Sequence, residues 1–343
     1  MNLSFLRRQR VVGLDVGHGS VKALALERRG SQDIVVGRGL SRIESTLDNR
    51  QISQAIHTAL AAAGAGGEPV IAAIGGPDII IRQVSLPPLP PARIIPALEI
   101  QHRELGLLPP GESVLDAQVL RKSKDGVGQD ILSISVPRAL VEERSRILQA
   151  ATVRVQVLDV EALALLNAAL YITGLEAGEL LVLLNVGRLS STLCLFSEQG
   201  PVVARYLDVG AEAFTEQLRA TFGTPPSSTE SFLRAIPAAD LPRAQLACRE
   251  LIERMAADIR LSLNFYRTEY DRDSLPRFGI GGWTDLAALP RWLAERVGTN
   301  APLELMDPFK AVEVRLKAGV PTPDGEASGP QYLQAFGLAL RGL

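Results

Sequence analysis

The 343 residues, 46% of them apolar, make a chain long enough for two lobes with separate cores and too apolar for a disordered one. A formal charge of −2 argues against a nucleic-acid binder, and the 2 cysteines match no zinc or redox spacing, which indicates buried thiols in a reducing compartment. Asp15 interrupts the apolar run after Arg10 before a secretory core is complete, and no uninterrupted apolar stretch approaches the ~20 residues of a membrane span.

After a basic stub at residues 5–10, residues 11–27 read as a hairpin. An apolar strand enters Asp15-Val16-Gly17-His18-Gly19-Ser20, and a second runs out from Val21 past Lys22. Gly17 and Gly19 can take positive φ and let a ligand approach the main chain. Successive N–H groups of such a turn form a nest for an anion such as phosphate, and Asp15 is placed to hold a metal ion through water beside it. The plainer reading is an ordinary hairpin with an Asp and two glycines in its bend. A third strand is expected at residues 34–41, a helix at 51–63 with Ile52, Ala55, Ile56 and Ala59 on one face, and a buried strand at 70–74. Gly75-Gly76-Pro77 then breaks the chain.

Residues 78–158 alternate strand, helix, strand, strand, helix, strand, as an insert would. The Pro-rich run at 87–91 cannot pair as a central strand and reads as a rigid entry to a helix at 92–105. A polar hairpin tip is expected at 121–126. A helix is expected over 159–171, with Glu161 near its start, where either a cleft-lining role or the helix dipole explains an acid.

Residues 180–196 repeat the grammar of the first hairpin, with Asn185-Val186-Gly187 between apolar strands. Two such hairpins facing each other can grip one phosphate chain from both sides. Further elements follow: a helix at 211–221, a loop at 223–228, a helix opening at Thr229-Glu230, and one long helix over 246–270 with Leu251, Met255, Ile259, Leu263 and Tyr266 along its core face. Phe278-Gly279-Ile280-Gly281-Gly282-Trp283 reads as a strand ending in glycines, with a helix starting after Thr284 or Asp285 that can accept an anion or lie against a flat base. Trp292 is expected in the core, 319–330 is a Gly/Pro-rich loop, and a last helix at 331–341 closes back on the first lobe. His18, His57 and His102 show no metal-ligand spacing.

These motifs, in this order and over nearly the whole length, resemble the actin-like ATPase superfamily, and within it the PilM family of type IV pilus assembly. The resemblance rests on Asp15-Val16-Gly17 with Ser20-Val21-Lys22, on Ile81-Arg82-Gln83-Val84 and its following helix, on Val136-Pro137-Arg138, on Leu158-Asp159-Val160-Glu161, on Asp307-Pro308-Phe309 and on the closing Phe336-Gly337-Leu338. It implies an α/β fold: a two-lobed actin-like ATPase, duplicated and ribonuclease-H-like, with an FtsA-type inserted subdomain. It divides the chain into subdomain 1A (1–76, 159–176 and 328–343), insert 1C (77–158), 2A (177–212 and 259–327) and helical 2B (213–258).

The resemblance further implies ATP and Mg2+ as cofactors. Gly17, His18, Gly19, Ser20, Lys22, Asn185, Gly187, Glu230, Gly281, Gly282 and Trp283 would line the nucleotide, Asp15 and Asn185 would serve the metal, and Asp15 and Glu161 would serve any catalysis. Two positions depart from the family. Asn185 stands where an Asp is usual, which removes about 2–7 kcal/mol of gross Coulomb attraction for a divalent ion about 5 Å away at effective dielectrics of about 80 to 20. Trp283 stands where a small residue is usual, and either stacks on adenine or fills its pocket. The implied role is a cytoplasmic scaffold, peripheral to the inner membrane and at most a weak ATPase. It would hold the N-terminal peptide of PilN among the pilus platform proteins, with nucleotide setting lobe closure. It would bind no nucleic acid directly and meet the membrane only indirectly. The alternatives are a small-molecule kinase of the same superfamily and a filament former like FtsA or MreB.

Overall fold

The computed structural model describes residues 9–43, 48–106, 111–122, 128–197, 200–225, 229–270, 276–299, 303–316 and 328–343. Expectations resting on residues 5–8, 123–126, 226–228 and 319–327 lie outside the described residues.

In the first lobe, strands β1 (Gln9–Val16), β2 (Ser20–Arg29) and β3 (Gln32–Arg42) form an antiparallel meander, and helix α1 (Asn49–Ala62) crosses to β4 (Val70–Ile74), parallel to β1. Asp48 caps α1, its carboxylate accepting the Arg50 N–H at 2.8 Å. The helix lies directly on β3 because Gly37 and Gly39 present no side chain there: a Cβ on either would stand 2.0 Å from the backbone oxygen of Ala63 or Ala59.

Through Gly75-Gly76-Pro77 the chain enters a separate antiparallel sheet: β5 (Ile80–Leu86), helix α2 (Pro91–Glu104), β6 (Ser113–Lys122) and β7 (Gln129–Pro137), ordered β5-β7-β6. Pro91 opens α2, as the proline run foretells. Helix α3 (Arg138–Ala150) leads back to β8 (Val155–Val160), which joins the first sheet beside β4. The helix expected from 159 therefore starts two residues later, as α4 (Glu161–Thr173), because Asp159 and Val160 are drawn into the ladder with Ala73 and Ile74.

The second lobe contains β9 (Leu180–Val186), β10 (Ser191–Ser197), β11 (Gly200–Leu207), α5 (Ala211–Phe222), α6 (Thr229–Arg234), α7 (Leu241–Ala247), α8 (Arg249–Tyr270), β12 (Pro276–Gly282), α9 (Leu289–Val297) and β13 (Glu304–Leu305). Its order, β11-β10-β9-β12-β13, and its strand directions repeat β3-β2-β1-β4-β8 of the first. The internal echo is thus a duplicated sheet.

Two helix expectations are corrected. The long helix over 246–270 is interrupted at Cys248, which closes α7 with its N–H on Ala244 and Leu246 before α8 begins. The helix after the glycine strand starts at Leu289, with Pro290 in its first turn, so residues 283–288 form a loop and present no helix start at the glycines. Short α10 (Pro308–Ala311) and β14 (Glu313–Val314, paired with β3) return the chain to the first lobe, where a 3-10 turn (Gly329–Tyr332) leads into α11 (Leu333–Arg341). This last helix is buried against β1 and α4. A Cβ on Gly13 would lie 2.0 Å from the Ala335 oxygen, and one on Gly337 would lie 1.8 Å from the Ala164 oxygen. One buried cluster contains Leu24 and Leu26 of β2, Leu165 of α4, Leu183 and Phe196 of the second sheet and Phe336 of α11, so the lobes share a core beneath the cleft that separates them. Among the described residues no helix is long and apolar enough to cross a membrane.

Candidate functional site: the cleft between the two sheets

The cleft encloses about 1100 Å³ and is lined by both hairpin turns, by α5 and α6, by the loop after β12 and by the first residue of α4. The two turns have one geometry. The Gly17 N–H donates to the Ser20 carbonyl at 3.1 Å, and the Gly187 N–H donates to the Ser190 carbonyl at 3.0 Å. Asp15 lies opposite Lys22 in one ladder, and Asn185 lies opposite Thr192 at the matching place in the other.

Neither Gly17, Gly19 nor Gly187 has positive φ, contrary to the freedom read from the sequence. Their lack of a side chain serves close approach instead. A Cβ on Gly19 would lie 2.8 Å from Cδ of Arg188, and one on Gly187 would lie 2.6 Å from the Ser190 oxygen. Among the cleft glycines, positive φ belongs instead to Gly76, at 155°, and to Gly282, at 75°, and the absent Cβ of Gly282 would lie 2.3 Å from the Val186 oxygen. That contact lets the Trp283 N–H reach the same oxygen at 2.8 Å and seats the glycine loop on the second turn.

Asp15 is buried at 6% exposure and its charge is met on both oxygens, by Lys22 Nζ at 3.1 Å and by Gln334 Nε2 of α11 at 3.1 Å. Glu161 accepts the Tyr206 hydroxyl, from the opposite lobe, at 3.1 Å. Burial first, then the nearby Asp15 charge, raises the Glu161 carboxyl above the ordinary carboxylate range. Burial, with Glu161 beside it, pushes the Tyr206 hydroxyl far above the ordinary phenol value. The floor is tight at this point: a Cβ on Gly75 would stand 2.2 Å from the Glu161 carboxyl and 2.5 Å from the Tyr206 oxygen. His18 is held below the usual imidazole value by partial burial and by Arg144 and Arg188.

Asp15, Gly17, His18, Gly19, Ser20, Lys22, Glu161, Asn185, Gly187, Glu230, Gly282 and Trp283 all line the cleft. Gly281 sits one step behind it in β12, opposite Asn185, where a Cβ would meet Leu333 Cδ2 at 2.5 Å. Trp283 forms part of the wall, with Phe214 at its back (centroids 6.3 Å apart, 29° between planes). Glu230 is engaged by Arg42, its carboxylate taking both guanidinium nitrogens, one at 2.9 Å. Sequence reasoning overlooks Arg42, Arg144, Tyr206 and Gln334. None carries a local signal, since each reaches the cleft only through tertiary packing.

Chemically, the cleft offers two like glycine turns, and beside one of them a carboxylate next to an ammonium group. Among the described residues no three His, Cys, Asp or Glu side chains converge to hold a metal. A cation at Asp15 would therefore draw its remaining oxygens from phosphate and water, the usual habit of magnesium.

A family model for the type IV pilus assembly protein PilM matches residues 13–343. Among solved structures, the PilM–PilN type IV pilus biogenesis complex superimposes with a TM-score of 0.77 at 23% identity, covering 98% of this chain and 99% of that one. The ethanolamine utilization protein EutJ from Carboxydothermus hydrogenoformans gives 0.54 at 14% identity, covering 98% and 90%. No curated protein matches. The duplicated sheets are those of the actin-like ATPase fold.

Proposed function

Because the chain belongs to the family of the type IV pilus assembly protein PilM, we propose that it is a nucleotide-binding scaffold of the pilus inner-membrane platform that holds the N-terminal cytoplasmic peptide of PilN. The observation that carries the nucleotide part is the pair of like turns at Gly17 and Gly187, brought to one cleft from opposite lobes. Bound ATP would supply a triphosphate long enough to engage both turns, with Mg2+ held at Asp15 through water. On the first side Ser20 and Lys22 face the phosphates. On the second, Gly187 and the Asn185 amide do so without a charge. Gly282 and Trp283 wall the space for the base. Glu161 accepts the Tyr206 hydroxyl from the opposite lobe, so this carboxylate ties the two lobes together on the cleft floor.

An extended peptide needs a groove and an unpaired strand edge. Strand β8 is an edge of the first sheet. Leu158 and Val160 of β8 pack with Ile134 and Val136 of β7. Val114, Asp116 and Gln118 of β6 are exposed in alternation nearby. Asp159 there is 8% exposed, and burial raises its carboxyl pKa against the opposing Val160 N–H and Arg341, with Asp116 adding to the rise. We place the PilN tail in this groove between insert and first lobe, which would bring the protein to the membrane through its partner. Titrating a synthetic peptide of the PilN cytoplasmic N-terminus with and without ATP–Mg2+ tests the reading. Binding in both states with unequal affinity is expected, and no binding in either overturns it.

A further inference from the structure

The insert's entry and exit both pass along the cleft. Its entry is Gly75-Gly76-Pro77, and its exit is α3, which contributes Leu140 and Arg144 to the cleft wall. Helix α3 is anchored at both ends. Leu140 and Val141 pack with Ile134 and Val136 of the insert, while Leu148 and Ala151, with Ile147 beside them, are part of the first lobe's core. Leu140 also lies against the entry segment, its Cδ2 being 3.3 Å from where a Cβ on Gly76 would stand. Between these anchors, Arg144 reaches out of the helix and donates through Nη1 to the Val16 carbonyl at 2.9 Å, on the strand end that feeds the first turn. One of its N–H groups is used there. A guanidinium has five, arranged in a planar fork that suits a phosphate as well as a carbonyl. Its charge is felt by His18 in the turn and by Glu161 on the floor.

We infer that Arg144 is a phosphate-contacting residue supplied by the insert, and that α3 transmits the nucleotide state of the cleft to the peptide groove. The inference rests on the scaffold reading above and specifies its regulation. A triphosphate seated at the Gly17 turn lies within the field of Arg144 and engages the N–H groups not held by Val16. Because α3 is packed into the insert sheet, any displacement of Arg144 moves β6 and β7 relative to β8, and so alters the groove. By linkage, the peptide must then change nucleotide affinity by the same factor as nucleotide changes peptide affinity.

The test uses full-length protein, a fluorescently labelled peptide of the PilN N-terminus, and ATP–Mg2+ or adenosine as probes. In the unaltered protein, saturating ATP–Mg2+ is expected to change peptide affinity by about fivefold or more. Arg144→Gln removes the charge and, being shorter by two bonds, also gives up the Val16 contact. It should weaken ATP binding about tenfold and bring the ratio of peptide affinities with and without saturating ATP to about one, whatever the affinity without nucleotide. Adenosine, lacking phosphates, should bind both proteins alike. Should the Gln variant not fold, Arg144→Lys decides: charge without the fork should keep most ATP affinity yet shrink the ratio. An undiminished ratio in either variant, equal loss of adenosine and ATP binding, or a ratio of one in the unaltered protein overturns the inference. Unaltered protein that binds neither peptide nor ATP refutes the scaffold reading itself, and this inference with it.

Discussion

The outermost bridge across the cleft yields the most exposed prediction. Arg42, the last residue of β3, holds Glu230 of α6 through both guanidinium nitrogens. Glu230 in turn lies 3.9 Å from Arg234, and Arg234 Nε donates to Asp285 at 2.9 Å, beside the glycine loop. The chain of charges thus runs from the first lobe to the wall of the second. Two unit charges 4 Å apart attract by about 1 kcal/mol in water and about 4 kcal/mol at an effective dielectric near 20. With the Arg42 side chain 62% and Glu230 38% exposed, solvent screening leaves about 1 kcal/mol, a factor of about five in the closing equilibrium. Arg42→Glu turns attraction into repulsion and should cost about twice that, about thirtyfold. The double exchange, Arg42→Glu with Glu230→Arg, restores the pair but sets a new cation beside Arg234, so rescue should be roughly half complete. Lobe separation, read by energy transfer between dyes placed on the two lobes, should widen in the single variants and narrow again in the double. The same closure should weaken as salt rises from 0.1 to 1 M and the screening length falls from about 10 to about 3 Å. A double variant as open as the sum of the singles refutes the clasp. If Glu230→Gln also lowers ATP affinity in an Arg42→Ala background, the carboxylate instead serves the nucleotide directly.

Trp283 lines the cleft whereas Trp292 is 1% exposed, so ATP binding should shift tryptophan emission, and Trp283→Phe should abolish the change; a signal that survives locates the response elsewhere. The raised Glu161 pKa means that the folded state binds this proton more tightly than the unfolded chain. Its contribution to stability is therefore full below the unfolded carboxylate value and is lost as pH rises through the folded one. Urea unfolding from pH 4 upward should show a declining component that Glu161→Gln removes, leaving the part due to Asp159, whose pKa is raised in the same direction mainly by burial; an identical slope in the variant counts against this. Gly337→Ala forces a methyl to 1.8 Å from the Ala164 oxygen, and should destabilise the first lobe by about 3 kcal/mol in thermal or urea melts, whereas an unchanged melt would mean that α4 and α11 separate freely.

Much of this was legible in the chain because the informative signals are local. Alternating and continuous apolar runs around Asp15-Val16-Gly17 and Asn185-Val186-Gly187 are sufficient to predict both hairpins, and their likeness to each other predicts the duplicated sheet. What escaped depends on distant neighbours. Gly19 is small because Arg188 of the other lobe lies against it, not because its φ is positive. Asp159 looked like the start of a helix until pairing with Ala73 drew it into a strand. Cys248 interrupts a helical stripe whose periodicity runs through it undisturbed. The resemblance assigns Glu230 to the nucleotide, while its partner Arg42 stands 188 residues earlier with nothing to announce it. Gly75 read as a simple break, yet it is the place where Glu161 and Tyr206 meet over bare backbone.

The two halves are alike in backbone and unlike in charge, and this difference bears on what the cleft does. In the first hairpin Asp15 faces Lys22, whereas in the second Asn185 faces Thr192 at the same register. A strict duplication would put two carboxylates at the phosphate corners, each drawing on a shared cation. Here the matching position in the second lobe is neutral, while Asp15 is already met by Lys22 and Gln334 and its charge adds to the rise in the Glu161 pKa that burial causes. The charged residue of the second turn, Arg188, points instead at the first lobe, donating to the Ile43 carbonyl at 3.0 Å and to Glu212 of its own lobe at 3.1 Å. The contact that links the two turns is therefore one hairpin's arginine on the carbonyl of Ile43 in the other lobe. On the reading proposed above, a cleft whose second corner lacks the acid of the first suits a nucleotide-binding scaffold better than a phosphoryl-transfer enzyme.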